Sequence, residues 1–589
     1  MKVRFPAFAF TILLLAASLS YRCANQMSPV GGPRDTIPPV LLQSQPVNKS
    51  TGVDTRTFTF VYNERITADK IQNQLIITPR IDSKYTHRVK KNTLRIDFEE
   101  NFADSTTYTF NFREGVGDIT EGSPPVDNKF TFSTGHYIDS LRISGYATYL
   151  LSGDTAKNVN IGLYRSLDTV NIFNGAPYYF TNTNDKGYFL LENLKEGLYS
   201  IYAFRDNNKN LKLESNTESF GFLADTIVLT QNIDTLNLYL LNVDPRPIRM
   251  QSATASGLYF HVNYNKYITR YEIIEPEEEG EVYSNFTEDH RTVRFYNRQS
   301  FSDSLRVIIT AIDSIDQSRT DTVYVKFRES TRRPDDFNYT VKPKTGTPVE
   351  SIFNSSVKFS KPVIAFNRDS IAVVFDTTAI GHFTVDTSVT WGINFDQILL
   401  STTIDRTLAD TVIAIRTRRE KAFADSLRQE TIAGSEPTAA PAARRQQDGS
   451  GAESPLRKIN RGLALHLGKG AFISAESDSS AASYTNYEFF DPEKFALLQG
   501  KIQTDYPCYF IQLIDNSKNV LFELYNATEY RFNTIPPGKY RIRFLIDENC
   551  DGKWNPGNLN THTEPEQVFF FPDEISMRAN WEMRQDLSF

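Results

Sequence analysis

Thr107-Tyr-Thr-Phe-Asn-Phe112, followed by Lys129-Phe-Thr-Phe-Ser133, sets apolar and polar residues in strict alternation. Side chains along a strand point to opposite faces in turn, so this spelling buries one face and wets the other. Thr57-Phe-Thr-Phe-Val61, Leu75-Ile-Ile-Thr78 and Thr93-Leu-Arg-Ile-Asp-Phe98 mostly repeat the pattern. Further along the chain such signals return about every eight to twelve residues, broken by Asp, Asn, Gly and Pro, which is the rhythm of β-sandwiches.

Composition agrees. There are 42 Phe and 29 Tyr against 5 Met and 3 Trp, a bias suited to pleated, half-buried strands. Helix is expected to be scarce. A chain of 589 residues is too long for one core and at roughly 100 to 150 residues per domain suggests four to six. The net charge of -7, with Lys and Arg spread along the chain, provides no basic field for phosphates, so nucleic acid is excluded as a partner.

The chain opens with Lys2 and Arg4, an apolar run from Phe5 to Leu19 with small residues Ala16, Ala17 and Ser18, and then Cys23. The run is too short to span a membrane permanently and matches an export signal. Residues 1–22 are therefore expected as a signal peptide, with Cys23 the acylated N-terminus and 23–37, rich in Pro and Gly, a tether. Ser20-Tyr21-Arg22 departs from the small residues usual before a lipidated cysteine. Cleavage near Ala17 or Ser18, leaving a soluble secreted chain, is the competing reading.

From Pro38-Pro39 and Pro46, through Phe58 and Phe60 before Asn63-Glu64, to Thr107-Tyr108, Gly115-Val-Gly-Asp118 and Phe130-Thr-Phe-Ser-Thr134, the order of features over 38–136 resembles the bacterial Ig-like domain of surface-layer and outer-surface proteins. Ile143-Ser-Gly145, Asp185-Lys-Gly-Tyr-Phe189 and Asn193-Leu-Lys-Glu-Gly-Leu-Tyr199 resemble the transthyretin-like, or carboxypeptidase-regulatory-like, sandwich over 137–242. Gly187 and Gly197 are expected to supply its tight turns at positive φ.

The motif recurs. Leu194-x-x-Gly197-x-Tyr199 with Asp206-x-Asn208-x-Asn210 answers to Ile535-x-x-Gly538-x-Tyr540 with Asp547-x-Asn549-x-Asp551, each element offset by 341 residues. A second transthyretin-like sandwich is expected over 491–589. Phe60 finds a weaker echo in Phe359 of Ser356-Val-Lys-Phe-Ser360, placing a second Ig-like unit over 343–490. Within it, about 418–458 holds Glu, Ala, Ser, Pro, Gln, Arg and Gly with almost no aromatics and is expected to be a disordered insertion. An Ig- or fibronectin-like sandwich over 243–342 completes an all-β string.

Chemistry is sparsely marked. Cys508 and Cys550 form an even pair; an oxidising compartment permits a disulfide, and two small buried hydrophobes are the alternative. Asp547, Asn549 and Asp551 precede Gly552, as in the first half of a Ca²⁺ loop, although Asn558 stands where the bidentate Glu belongs. The alternative is an Asx-rich turn capped by its own side chains. Seven histidines show no metal spacing, and no nucleophile elbow, phosphate loop or dinucleotide fingerprint occurs. The expectation is that the chain is not an enzyme. Tyr178-Tyr-Phe180 and Phe569-Phe-Phe571 put aromatics on both faces of a strand, so one face meets another domain, a partner or water.

The whole resembles Ig-like-domain lipoproteins of Bacteroidota. That resemblance implies an outer-membrane lipoprotein held to the membrane through its N-terminal lipid, non-enzymatic, and a scaffold or binding subunit of an outer-membrane complex for assembly or secretion. A cell-surface carbohydrate-binding or adhesive lipoprotein is the alternative. Ala24-Asn-Gln-Met-Ser28 lacks the acidic cluster common on surface-exposed relatives, which leans toward a periplasmic face.

Overall fold

The computed structural model describes residues 36–81, 83–213, 218–274, 283–297, 304–328, 330–384, 386–433 and 462–589. Cys23, the signal and the tether lie outside them. The protein is nearly all β, with 48% strand and 7% helix. The described residues form two compact units, those within 36–147, 156–212 and 226–238 in one, and those within 148–155, 213–225 and 239–589 in the other.

In the first unit, strands Leu41–Gln45, Thr57–Tyr62, Thr93–Phe98 and Tyr85–Lys90 make one sheet, and Ile76–Thr78, Thr107–Asn111 and Lys129–Ser133 the other. Phe110 lies opposite Phe130 and Tyr108 opposite Phe132 in antiparallel register. Phe58, Phe60, Phe110, Phe130 and Phe132 are all fully buried between the sheets. Their rings meet edge to face, Phe58–Phe110 at 5.0 Å and Phe60–Phe130 at 5.1 Å, the geometry that the ring quadrupole favours. Asp118 closes the Gly115-to-Asp118 segment by accepting from the backbone N–H of Thr120, Glu121, Gly122 and Ser123.

The next sandwich pairs Tyr188–Leu194, Leu141–Tyr149 and Ile233–Leu240 in one sheet, and Tyr179–Asn182, Asn160–Arg165, Gly197–Phe204 and Phe220–Phe222 in the other, with Ile227–Leu229 beside Gly197–Phe204. The same order returns at the C-terminus. Glu529–Ile535, Ala496–Gln503 and Glu582–Arg584 form one sheet, with Leu587–Ser588 also on Ala496–Gln503; Val520–Tyr525, Tyr509–Asp515, Gly538–Ile546 and Val568–Phe570 form the other, with Ile575–Met577 beside Gly538–Ile546. A glycine at the same place in each copy is sterically required. A Cβ on Gly145 would lie 1.8 Å from the Leu236 carbonyl oxygen, and one on Gly500 2.0 Å from that of Gln585.

Gly187 has φ 72°, but the positive-φ role expected of Gly197 is not found: it opens strand Gly197–Phe204. The reason is the tyrosine two residues on. Tyr199 Oη donates to the Lys195 carbonyl at 2.9 Å and Tyr540 Oη to that of Pro536 at 2.7 Å. Each ring thus folds back over its glycine, where a Cβ would sit 3.4 Å from Tyr199 and 3.1 Å from Tyr540.

Between the repeats lie two more sandwiches. The third packs the sheet of Met250–Ser256, Tyr259–Tyr264, Thr292–Tyr296 and Tyr283–Phe286 on that of Arg270–Ile274, Leu305–Ile312 and Ser318–Val325, around buried Val262, Phe295, Val307 and Ile309. Lys266 is buried there, its ammonium donating to Asp313 and to the Asp244 and Arg246 carbonyls. All its hydrogens are spent, which is how a charge survives in a core. The fourth joins Tyr339–Lys342, Ile352–Phe359, Gln397–Thr403 and Val389–Trp391 to a second sheet running Pro348–Val349, Ser483–Phe489, Leu463–Leu467, Ile371–Phe375 and Thr378–His382. Phe359 is buried in that core.

Residues 418–433 are not an unstructured insertion. They belong to a helix, Arg406–Ala433, which Asp405 starts by accepting from Leu408 N at 3.0 Å, a side-chain N-cap. Ala409 is buried and Val412 and Ile413 pack on the sandwich, after which the run is rich in Ala, Arg, Glu and Lys, all strong helix formers. The rest of the expected insertion, 434–458, lies outside the described residues.

Candidate functional site

The densest polar constellation joins the third and fourth sandwiches. Strands Tyr259–Tyr264 and Thr292–Tyr296 present Tyr259, Arg294 and Tyr296 to the segment that follows strand Ile352–Phe359. Tyr296 Oη donates to the Ser360 carbonyl at 3.2 Å and to Asn285 Oδ1 at 3.0 Å, while Asn285 Nδ2 donates to the same carbonyl. Tyr259 Oη donates to Glu476 at 3.3 Å and accepts from Asp335 N at 3.0 Å. Arg294 lies over the Tyr259 ring and pairs with Asp335 at 2.8 Å. Lys361 is fully buried between Glu476 and Asp478. Burial lowers its ammonium, but the hydrogen bonds to Asp478 and Glu476 outweigh that and hold it above the ordinary lysine range.

Beside this junction opens a cleft of about 840 Å³ whose walls include His261, His290, Arg294 and Asp335. Burial lowers both imidazoles, with Arg294 adding to it at His261 and Lys358 at His290. His290 is stacked between Tyr267 and Phe286, and His261 Nε2 accepts from Arg294 Nε at 3.3 Å. The His261–Arg294 contact lies across neighbouring strands of one sheet. No sequence signal announced these contacts, because none of the residues sits in a motif.

The first unit has a counterpart. Arg113 Nη1 donates to Asn182 Oδ1 at 3.0 Å, Asn193 Nδ2 to Thr109 Oγ1 at 2.9 Å, and Lys129 pairs with Glu192. They link the Ig-like sandwich to its successor. Alongside lies an open cleft of about 890 Å³ whose walls carry several carboxamides, among them Asn73, Asn111, Asn160 and Asn182, together with Arg113, Asp206 and Phe180.

Apart from Cys23, which lies outside the described residues, each residue singled out in the sequence has a definite place. Cys508 and Cys550 are joined in a disulfide, with Cα atoms 5.4 Å apart. Asp547 is buried; its Oδ1 accepts from Asp551 N at 3.1 Å, and its Oδ2 from Gly552 N and from Tyr525 Oη, both at 2.9 Å. Asn549 Oδ1 accepts from Asp551 N, and Asp551 Oδ1 from Lys553 N. The oxygens that a Ca²⁺ ion would need thus cap the backbone of their own turn. Among the described residues, no group of three or more His, Cys, Asp or Glu is placed to hold a metal ion.

The aromatic runs are engaged inside the chain. Tyr178 lies under Arg165 at 3.6 Å and its carbonyl accepts from Arg80 N of the Ig-like sandwich; Tyr179 is buried, and Phe180 lines the carboxamide cleft. Phe569 and Phe571 pack on the C-terminal core. Phe570 stacks on Arg541 and meets Gly153. Other segments of the same chain thus receive these rings in part, while all but Tyr179 keep some exposed surface. No helix among the described residues is long and apolar enough to cross a membrane.

Residues 35–134 match the bacterial Ig-like domain. This chain carries that module at its N-terminal end. No curated protein matches the chain. Among solved structures, the surface-layer protein rSbsC(31-844) is 13% identical over 62% of this chain and 51% of that one, with a TM-score of 0.14. BcpA, the major pilin subunit of Bacillus cereus, is 9% identical over 76% and 99%, at 0.12. Sidekick-1 immunoglobulin domains 1–4 are 6% identical over 75% and 94%, at 0.17. The chain spans 42% and 51% of the first two surface-layer chains it matches. Scores this low describe no shared overall arrangement, and no activity is transferred from them.

Proposed function

We propose that the protein is a non-enzymatic lipoprotein of a Gram-negative outer membrane, held through Cys23, that serves as scaffold or binding subunit of an outer-membrane protein complex for assembly or secretion. The observation that carries this reading is the pair of junctions. Within each unit, neighbouring sandwiches are fastened by polar contacts, with Tyr259 on Glu476 and Asn285 and Tyr296 on the Ser360 carbonyl in one, and Arg113–Asn182 and Lys129–Glu192 in the other. Hydrogen bonds of this kind contribute about 0.5 to 1.5 kcal/mol each, and several acting together suit a part that keeps binding surfaces at a fixed spacing. Affinity purification from detergent-solubilised envelopes, read by mass spectrometry, is expected to return a stoichiometric outer-membrane partner; recovery of the chain alone argues against the scaffold.

A carbohydrate-binding role is the second reading. Carboxamides pair donor and acceptor as sugar hydroxyls do, and the cleft around Asn111, Asn160 and Asn182 concentrates them. A glycan array should then give hits that Asn182→Ala removes, and an array without hits discards this reading.

A further inference from the structure

The Ig-like sandwich exposes an apolar edge next to the point where the chain enters it. Val40 is 52% exposed, Leu42 66%, Val47 70% and Val126 85%. All four line one shallow depression of about 430 Å³, whose lining holds a single charged side chain, Asp127. Leu41–Gln45 is an edge strand, paired on one side only with Thr57–Tyr62. Four aliphatic side chains gathered so fully in water are unfavourable unless something covers them.

We propose that this edge rests on the lipid surface to which Cys23 is anchored, an inference that takes the acylated Cys23 of the proposed function as given. The length of chain outside the described structure argues for lipid over a protein partner. Description begins at Thr36, and the stretch from Cys23 can span at most about 45 Å even when fully extended. The patch starts four residues after Thr36, so an acyl group in the bilayer holds it near the headgroups at high effective concentration. Aliphatic insertion then adds a protein contact with the membrane to the acyl anchor and fixes which face of the sandwich meets it.

The test uses the chain from residue 23 onward, without leader and with Cys23→Ser, in Leu42→Cys and Tyr324→Cys forms. With Cys508 and Cys550 bridged, each has one free thiol for an environment-sensitive fluorophore; Tyr324 is exposed in the other unit. With vesicles of phosphatidylethanolamine and phosphatidylglycerol, emission at position 42 is expected to rise several-fold and at position 324 to stay flat. Cosedimentation of the unlabelled chain should fall about tenfold with Leu42→Asp plus Val126→Asp, whose far-ultraviolet spectrum and thermal unfolding should match the parent. A silent probe at 42, equal responses at both positions, or a concentration-dependent dimer abolished by the double variant would overturn the proposal. Mass spectrometry of the native N-terminus separates the two claims. Acyl chains on Cys23 with a silent probe remove the lipid-facing edge alone, whereas a responding probe with no acyl chains removes the anchor.

Discussion

The two repeated sandwiches build the same Asx loop and hold it by different means. In both, an aspartate accepts from the amides four and five residues on, Asp206 from Asn210 at 3.2 Å and Leu211 at 2.8 Å, Asp547 from Asp551 at 3.1 Å and Gly552 at 2.9 Å. In both, the backbone turns left-handed at matching positions, Lys209 at φ 61° and Leu211 at 60°, Cys550 at 55° and Gly552 at 80°. The first copy therefore forces a leucine where glycine is at ease, a strain of about 1 kcal/mol or more. The second has glycine there, buries its aspartate, adds Tyr525 and ties the loop to Cys508. The shape is kept in the first copy with Asn210 and Leu211 standing where the second has Asp551 and Gly552.

The largest expected difference is the cross-link. Closing a loop with 42 residues of separation stabilises by about 4 kcal/mol on the chain-entropy account, so reduction, or Cys508→Ser with Cys550→Ser, should lower the urea midpoint of the C-terminal sandwich and leave the first repeat untouched. Hydrogen exchange resolves the two; loss of protection in both copies would break the comparison. Next come the glycines shared by the copies. Gly145→Ala and Gly500→Ala each drive a Cβ into a backbone carbonyl and should each cost about 3 kcal/mol, in the upper range of overpacking; a variant with unchanged thermal unfolding would mean the sheets can shift apart.

Smaller effects sharpen the contrast. Leu211→Gly should raise stability of the first repeat by up to about 1 kcal/mol while Gly552→Ala lowers that of the second by a similar amount; the same sign in both would show that the loops are not equivalent. A third Asx loop, at Asp118, predicts an acid response. Burial raises that carboxyl, and its bonds from Glu121, Ser123, Thr120 and Gly122 outweigh burial and leave it below the usual range. A depressed folded pKa contributes stability above the unfolded value near about 3.9, lost as pH falls through the folded one. Asp118→Asn should flatten that acid limb in a pH series of melting curves. The smallest effect is none: EDTA should leave the unfolding of both repeats unchanged, and a drop confined to the second would restore the Ca²⁺ reading of Asp547.

Much of the fold was written locally. The alternation around Phe58, Phe60, Phe110 and Phe130 named a core that the sheets then closed, because period-two spelling is read by a strand's own geometry. The offset of 341 residues carried over to side-chain detail, down to the tyrosine hydroxyls on Lys195 and Pro536. Gly197 was misread because its reason is the ring of Tyr199, not its own backbone. The helix at Arg406–Ala433 was missed because a run of Arg, Glu, Lys and Ala looks alike in a solvated helix and in a low-complexity segment; Asp405 was the overlooked cap. Lys361 was invisible, since the carboxylates that make its burial tolerable lie more than a hundred residues away at Glu476 and Asp478.

The most direct test of a lipid-moored, partner-holding protein is mass spectrometry of the full chain purified from detergent-solubilised envelopes. An acylated peptide beginning at Cys23, together with a stoichiometric outer-membrane protein, is the expected result. A chain that starts elsewhere, carries no acyl group and elutes alone would contradict it.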